Sequence, residues 1–226
     1  MKAFLARLLF RRSERQTILD FLKVSDPDKK KEILDVGCGY GRYLQAMIGD
    51  GYHAIGVEVN EQTVAENIKN SIPCTSLREF ENSTKLYDIL LMAHIVEHFA
   101  PTDLLAWMEQ YLARLKPGGH LIVVTPLLSH YFYEDFDHIK PFNPTGFSMV
   151  FCRQDSQVQY HSKTRLELRD IWFRRSPWRI TFFRRAYVRS GSRWPLVVNV
   201  LFNILFHITG GVMGNTDGWV GLYKKI

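Results

Sequence analysis

From residue 31 to residue 125 the chain alternates short, uninterrupted apolar runs with stretches of helical period. Residues 31–36 (KEILDV) end at a glycine cluster, and 43–48 then space their apolar positions as one face of a helix does, which predicts strand, turn, helix. The unit recurs. Residues 53–59 (HAIGVEV) predict a strand and 61–70 a helix, 87–93 (YDILLMA) a strand and 102–115 a helix, and 120–125 (HLIVVT) a strand after the turn signal Lys116-Pro117-Gly118-Gly119. A weaker strand is expected at 72–77. Strands that are apolar at consecutive positions are buried on both faces, so with helices between them they predict a parallel sheet covered on both sides. Right-handed crossovers make such a sheet doubly wound.

Beyond Pro126 the pattern changes. Residues 127–147 are aromatic and turn-rich, 166–173 alternate as a strand does, and 219–226 (WVGLYKKI) predict a final strand. Residues 195–208 predict a helix with proline at its first turn. In that helix Asn199, Asn203 and His207 recur at i, i+4, i+8, a polar stripe on an otherwise apolar cylinder.

Composition narrows the class. The 226 residues are 46% apolar and 13% aromatic, enough for a buried core and outside the disordered and collagen-like ranges. The net charge of +6 is segregated: residues 31–152 carry 8 basic and 15 acidic side chains, whereas 153–193 carry 11 and 3. Cys38, Cys74 and Cys152 are odd in number and widely spaced, so they form neither a disulfide framework nor a CxxC zinc pattern, and they read most simply as small buried residues in a reducing, cytoplasmic compartment. The opening MKAFLARLLFRR is positive, but Arg7 interrupts its apolar run and no small-residue cleavage site follows, so a signal peptide is not expected. The longest uncharged stretch, 194–216, is interrupted by the polar stripe and by Gly210-Gly211, which argues against a spanning helix of about 20 apolar residues. The expectation is a soluble or peripheral protein.

The sharpest local signal is Asp35-Val36-Gly37-Cys38-Gly39-Tyr40-Gly41, between a strand and a helix. Glycines there permit a tight turn and close approach of a ligand to the main chain, and the helix N-terminus offers unpaired N–H groups. The dinucleotide fingerprint G-x-G-x-x-G fails, because its third glycine position is Arg42, which disfavours NAD. Glu58, at the end of the following strand, is placed to accept hydrogen bonds from two ribose hydroxyls.

Four pieces in this order, ILDVGCGYG, Glu58, YDILLMAHIVEHF and LARLKPGGHLIVVTP, resemble the class I S-adenosylmethionine-dependent methyltransferases over about residues 31–126. The resemblance implies an α/β fold, a doubly wound, mostly parallel seven-stranded sheet with 219–226 as its antiparallel last strand. Around it would lie a basic helical extension at 1–30, a substrate loop at 127–150 and a basic and apolar insertion at 174–216, the methyltransferase domain spanning 31–226. The loop DFDHIKPFNPTGF is similar to one in a small-molecule and glycan-modifying branch of the family. Carried onto these positions, Gly37, Gly39 and the turn around Cys38 would cradle the methionine part of S-adenosylmethionine, and Asp35 would hold its amino group. Glu58 would bind the ribose, Val59 would pack on the adenine, and Ala93 and His94 would border the methyl and carboxylate region. The family often has an acidic residue after the third strand, where this chain reads Cys74-Thr75-Ser76-Leu77-Arg78, so adenine recognition would fall to Ser76 or the backbone.

Methyl transfer from a sulfonium is an in-line displacement, so a protonated acceptor needs orientation and a base. His138, in the loop over the strand ends, is a candidate base with His94 and His98 as rivals; its structural alternative is to cap Asp135 or Asp137. His94-Ile95-Val96-Glu97-His98 matches the H-x-x-E-H zinc pattern, but His94 follows a buried strand directly instead of sharing a helix face with His98, so no metal is expected. Seven arginines within 174–193, interleaved with aromatics and free of acid, fit a nucleic-acid surface, an anionic lipid patch backed by 195–208 and the amphipathic 4–10 stretch, an anionic-acceptor pocket, or a solvated edge. The Asp/Asn-Pro-Pro-aromatic sequence of amino-methylating nucleic-acid enzymes does not occur, which ranks nucleic acid lower. The expected function is O-methylation of a small-molecule, glycan or lipid-linked anionic acceptor; the rivals are an RNA or DNA methyltransferase and a non-catalytic cofactor-binding scaffold. The 195–208 helix could serve as a lid or a homodimer contact.

Overall fold

The structure is a computed structural model and describes residues 12–129, 131–153 and 157–226. The amphipathic 4–10 stretch lies outside them. In chain order the elements are α1 (Glu14–Ser25), β1 (Glu32–Val36), α2 (Arg42–Gly49), β2 (His53–Glu58), α3 (Glu61–Lys69), β3 (Cys74–Ser76), α4 (Leu77–Asn82), β4 (Tyr87–Ala93), α5 (Pro101–Arg114), β5 (Leu115–Pro126), α6 (Pro144–Phe151), β6 (Leu166–Pro177), α7 (Arg184–Tyr187), α8 (Trp194–Ile208) and β7 (Gly214–Lys225). Single 3-10 turns lie at Val96–His98 and Phe132–Glu134.

The seven strands form one sheet in the order β3-β2-β1-β4-β5-β7-β6. β1 pairs in parallel with β2 and with β4, and β7 runs antiparallel to β5, with Trp219 opposite Thr125 and Lys224 opposite His120. The chain reverses its direction of winding between β1 and β4, and the crevice outside the carboxyl ends of strands at such a point is where open α/β sheets take their ligands.

The consecutive apolar residues divide between the two faces as the strand pleat requires. Leu34, Leu90, Leu121 and Val123 meet α5 and α6 on one face through Met108, Leu112, Phe147 and Phe151. Ile33, Ile89, Leu91 and Ile122 meet α1 and α2 on the other through Ile18, Phe21, Leu22, Leu44 and Met47. α1 was expected in a basic extension; three of its apolar residues, Ile18, Phe21 and Leu22, are fully buried in the core, whereas Val24 is exposed. α6 lies within the stretch read as turn-rich; Asn143 caps it by accepting from the Gly146 N–H at 2.7 Å, and Pro144 occupies its first turn.

The described residues fall into two compact units, Glu14–Trp172 with Gly218–Ile226, and Phe173–Asp217 with Arg12 and Ser13. In the smaller unit Arg174 donates to the Asp217 carboxylate at 2.8 Å and to its carbonyl at 3.0 Å, and Arg175 donates to the carbonyls of Val212 and Gly214. The polar stripe of α8 divides. Asn199 turns inward, accepting from the Ile180 N–H at 2.7 Å and donating to the Ile180 carbonyl at 2.9 Å, whereas Asn203 and His207 are exposed.

Candidate active site

The carboxyl ends of β1, β2 and β4 carry the residues singled out by the sequence. Gly37, Gly39 and Gly41 all hold positive φ (66°, 52° and 73°), and that left-handed backbone, rather than small size alone, is why glycine recurs there. The Gly37 and Cys38 N–H groups donate to the Val57 carbonyl, and the buried Asn67 donates to the Gly39 carbonyl at 2.7 Å, so the turn is fastened from β2 and α3. Asn67 was not singled out from the sequence; as one polar residue in a helical stretch it carries no signal until α3 is docked. A Cβ at Gly37 would overlap Ile95 Cδ1, whereas one at Gly39 would meet nothing within 4 Å. Gly37→Ala is therefore expected to destabilise the fold by about 1–3 kcal/mol, read as a lowered melting midpoint, and to weaken any ligand of the turn.

Glu58 closes the opposite side of the turn. One carboxylate oxygen accepts from Gly39 N–H at 3.0 Å and the other from Val59 and Asn60 N–H at 2.9 and 3.0 Å. Val59 beside it is 72% exposed, an apolar surface open to a planar group. Beneath the turn Asp35 is buried, and among the described residues its Oδ2 has no hydrogen-bond partner. Burial, and then the Glu58 charge, raise its pKa to about 7 against a hydrogen bond from the Leu44 main chain. A buried, unpartnered carboxylate oxygen of this kind is suited to a cationic ligand atom. Ser76 instead caps α4: its hydroxyl accepts from Glu79 N–H while the Glu79 carboxylate accepts from Ser76 N–H at 3.0 Å. Cys38 and Cys74 meet with their sulfurs 3.6 Å apart, and burial, then the neighbouring thiol, push the Cys38 thiol up, so it stays protonated.

At the end of β4, His94 holds a positive φ of 57°. Its Nε2 lies 3.2 Å from Glu14 of α1 and its Nδ1 3.3 Å from Glu97. Burial alone would lower its pKa, but hydrogen bonds to Glu14 and then Glu97 carry it up to about 9. The ring is thus an imidazolium at neutral pH, tied to a carboxylate on each side. A raised cationic pKa contributes stability in full below the ordinary histidine value of about 6.5 and loses it as pH rises through about 9. Melting midpoints measured from pH 7 to 10 are expected to fall through that window, and His94→Gln is expected to flatten the fall.

Glu97 is fully buried; its Oε2 accepts from Thr125 Oγ1 at 3.0 Å and its carbonyl accepts from the N–H groups of Ile139 and Lys140. These bonds clamp the loop bearing His138 onto the turn bearing His98. The rings of His98 and His138 lie 5.0 Å apart. Each Nδ1 faces a main-chain carbonyl, Asp137 at 3.1 Å and Phe132 at 2.6 Å respectively, so each must donate there. In the neutral rings both Nε2 atoms then carry the lone pair. Asp135 stands 3.7 Å from the His138 Nε2, beyond a hydrogen bond. Glu97, His98 and His138 offer ligand atoms within 4.8 Å of one another, but the Glu97 carboxylate is already held by Thr125 and His94. A cavity of about 300 Å³ lies between α5, residues 140–143 and α6; its lining, which includes Leu104, Leu105, Lys140, Phe142, Phe147 and Val150, contains none of the three histidines.

A family model for a methyltransferase domain matches residues 1–187. The chain belongs to the class I S-adenosylmethionine-dependent methyltransferases. The solved S-adenosylmethionine-dependent methyltransferase of Archaeoglobus fulgidus covers 99% of both chains at 20% identity with a TM-score of 0.56. An N-methyltransferase from Bradyrhizobium japonicum WM9, solved with S-adenosylhomocysteine, covers 99% of this chain and 97% of its own at 11% identity and a TM-score of 0.54. At these identities the two share the fold. Among curated proteins, the ubiquinone biosynthesis O-methyltransferase of Bradyrhizobium sp. ORS 278 is 30% identical over 101 residues, and that of Rickettsia conorii is 28% identical over 113. The matches take in 41% and 47% of this chain, which spans only 39% and 38% of the length of those relatives. The cofactor of the family is S-adenosylmethionine, and the open face of Gly39 and the orphan Oδ2 of Asp35 fit its amino-acid end.

Proposed function

We propose that this methyltransferase moves the methyl group of S-adenosylmethionine onto a hydroxyl oxygen of a small acceptor with a sizeable apolar part, of which a lipid-linked phenol is the favoured class and a glycan the alternative. The observation that carries the reading is the pair of imidazoles, each with its Nδ1 proton on a main-chain carbonyl and its Nε2 lone pair available; Pro101 and Lys140, close in sequence to His98 and His138, line a cavity with mostly apolar walls. S-adenosylmethionine, when bound, would supply the methyl group and leave as S-adenosylhomocysteine, and His138 would take the proton that the acceptor hydroxyl gives up. His98 packs against His138 and is the alternative base; His94, an imidazolium, has no lone pair to offer and serves as a cation between Glu14 and Glu97. In the donor site Asp35 holds the amino group, Gly37, Cys38 and Gly39 cradle the chain, Glu58 takes the ribose hydroxyls and Val59 the adenine face. Ala93 borders the methyl, and with the Ser76 hydroxyl engaged in capping, the adenine edge is read by main chain. The names of the O-methyltransferase relatives support oxygen over nitrogen.

Transfer of labelled methyl from S-adenosylmethionine to a panel of ortho-hydroxylated phenols, with and without prenyl tails, and to glycans tests this. Label in an ether of the prenylated phenol is the expected result; label only in an amine, or in RNA with a steep salt dependence, contradicts it.

A further inference from the structure

The unit Phe173–Asp217 contains no part of the site described above, and its outer surface is unusual for a soluble protein. The inner seam of α8 is formed by Pro195, Asn199, Phe202 and Phe206, of which Pro195 and Phe206 are buried. At roughly 100° per residue, Trp194, Val197, Val200, Leu201, Ile204 and Ile208 share the opposite arc with no polar residue among them, and all six are exposed. Val197 and Ile208 show 59% and 65% of their surface. A continuous apolar face of this kind marks an interaction surface.

What surrounds the face selects the partner. Arg179, Arg184, Arg189 and Arg193 are exposed on the segment leading into α8, beside Phe182 and Tyr187, which are 72% and 69% exposed. From 171 to 216 the sequence has no acidic residue. A second copy of the chain placed face to face would bring this acid-free, arginine-bearing segment against itself. A nucleic acid would satisfy the arginines and leave the aliphatic arc in water. An anionic bilayer answers both: phosphates meet the arginines, interfacial depth suits the aromatic rings, and the acyl boundary receives the aliphatic arc. Among the described residues no helix is long and apolar enough to cross a membrane, so α8 would lie in the interface plane.

We propose that Phe173–Asp217 is a docking module for anionic phospholipid surfaces, with α8 lying flat in the headgroup layer. The proposal goes beyond the methyl-transfer reading, because it concerns residues outside the site and fails or stands by itself. Flotation of the full chain with vesicles of pure phosphatidylcholine, or with about a third of it replaced by phosphatidylglycerol, tests it, with S-adenosylhomocysteine binding as the check of folding. The native chain is expected to float with the anionic vesicles and to dissociate with rising salt. Arg184→Gln, Arg189→Gln and Arg193→Gln combined are expected to lower partitioning on the order of 100-fold, at about fivefold per arginine. Leu201→Glu with Ile204→Glu is expected to abolish flotation while cofactor binding is kept. Equal partitioning to both vesicles, no flotation of the native chain, or variants that float as it does would overturn the proposal. A dimer by light scattering that the Leu201/Ile204 pair converts to monomer, with no flotation, would also overturn it and make the face a subunit contact.

Discussion

His138→Gln is expected to lower turnover at saturating cofactor and acceptor by about 100- to 10,000-fold, the range over which a positioned general base contributes. Glutamine keeps a hydrogen-bonding side chain of similar reach but has no basic lone pair. The affinity for S-adenosylhomocysteine is expected to stay within about twofold, because the ring stands on the loop fastened through Ile139 and Lys140 to Glu97 and not on the glycine turn. His98→Gln distinguishes the two imidazoles. If His98 carries the base function, its substitution produces the large loss and His138→Gln the small one, and the assignment reverses. Equal, modest losses from both would mean that the acceptor arrives already ionised and that positioning supplies the rate.

Asp35→Asn is expected to have two effects of opposite sign. Without cofactor the substitution stabilises the protein at pH 8, because an ionised carboxylate is held in a buried site with no partner for one of its oxygens. The sign follows from linkage. A carboxyl whose folded pKa is raised from 3.8 to about 7 binds a proton more tightly in the folded chain, so stability falls as pH rises from about 4 to 7 and stays low above. The effect is on the order of a few kcal/mol, hence several degrees in melting midpoint at pH 8 and little at about pH 4 or below. With cofactor the effect inverts: the ammonium loses its partner and affinity falls roughly 100-fold. In the native chain, affinity is expected to decline as pH drops below about 7, where a proton competes with the ammonium for Asp35. An aspartate serving only to shape the turn would lose stability and affinity together on substitution.

The parts of this protein that were legible beforehand are those written in local pattern. The consecutive apolar runs announced a sheet buried on both faces, and the spacing of glycines after β1, with Glu58 ending β2, announced the left-handed turn and the acid that closes it at the switch point. Partnerships that need the tertiary fold were not legible. Glu14 reaches His94 across 80 positions, from a polar stretch whose sequence offers no motif. Glu97 was visible only inside an apparent zinc pattern; its work, joining Thr125, His94 and the Ile139–Lys140 main chain, exists only once β4, β5 and the following loop are packed. Ser76 shows the converse. Its position at the end of β3 suggested adenine, whereas the Ser-x-x-Glu spacing to Glu79 marked a capping box, and local helix chemistry engages the hydroxyl. α6 was hidden because proline, asparagine and glycine punctuate its first turn, the same residues that mark a loop.

The central claim, a methyl-donor site built on the glycine turn and Glu58, is tested most directly by calorimetric titration of S-adenosylhomocysteine into the native chain and into Glu58→Ala at pH 8. The account predicts one site per chain, with affinity lowered at least about tenfold by the substitution, as loss of a charged hydrogen-bond acceptor implies. No heat of binding with the native chain, or unchanged affinity in Glu58→Ala, would contradict it.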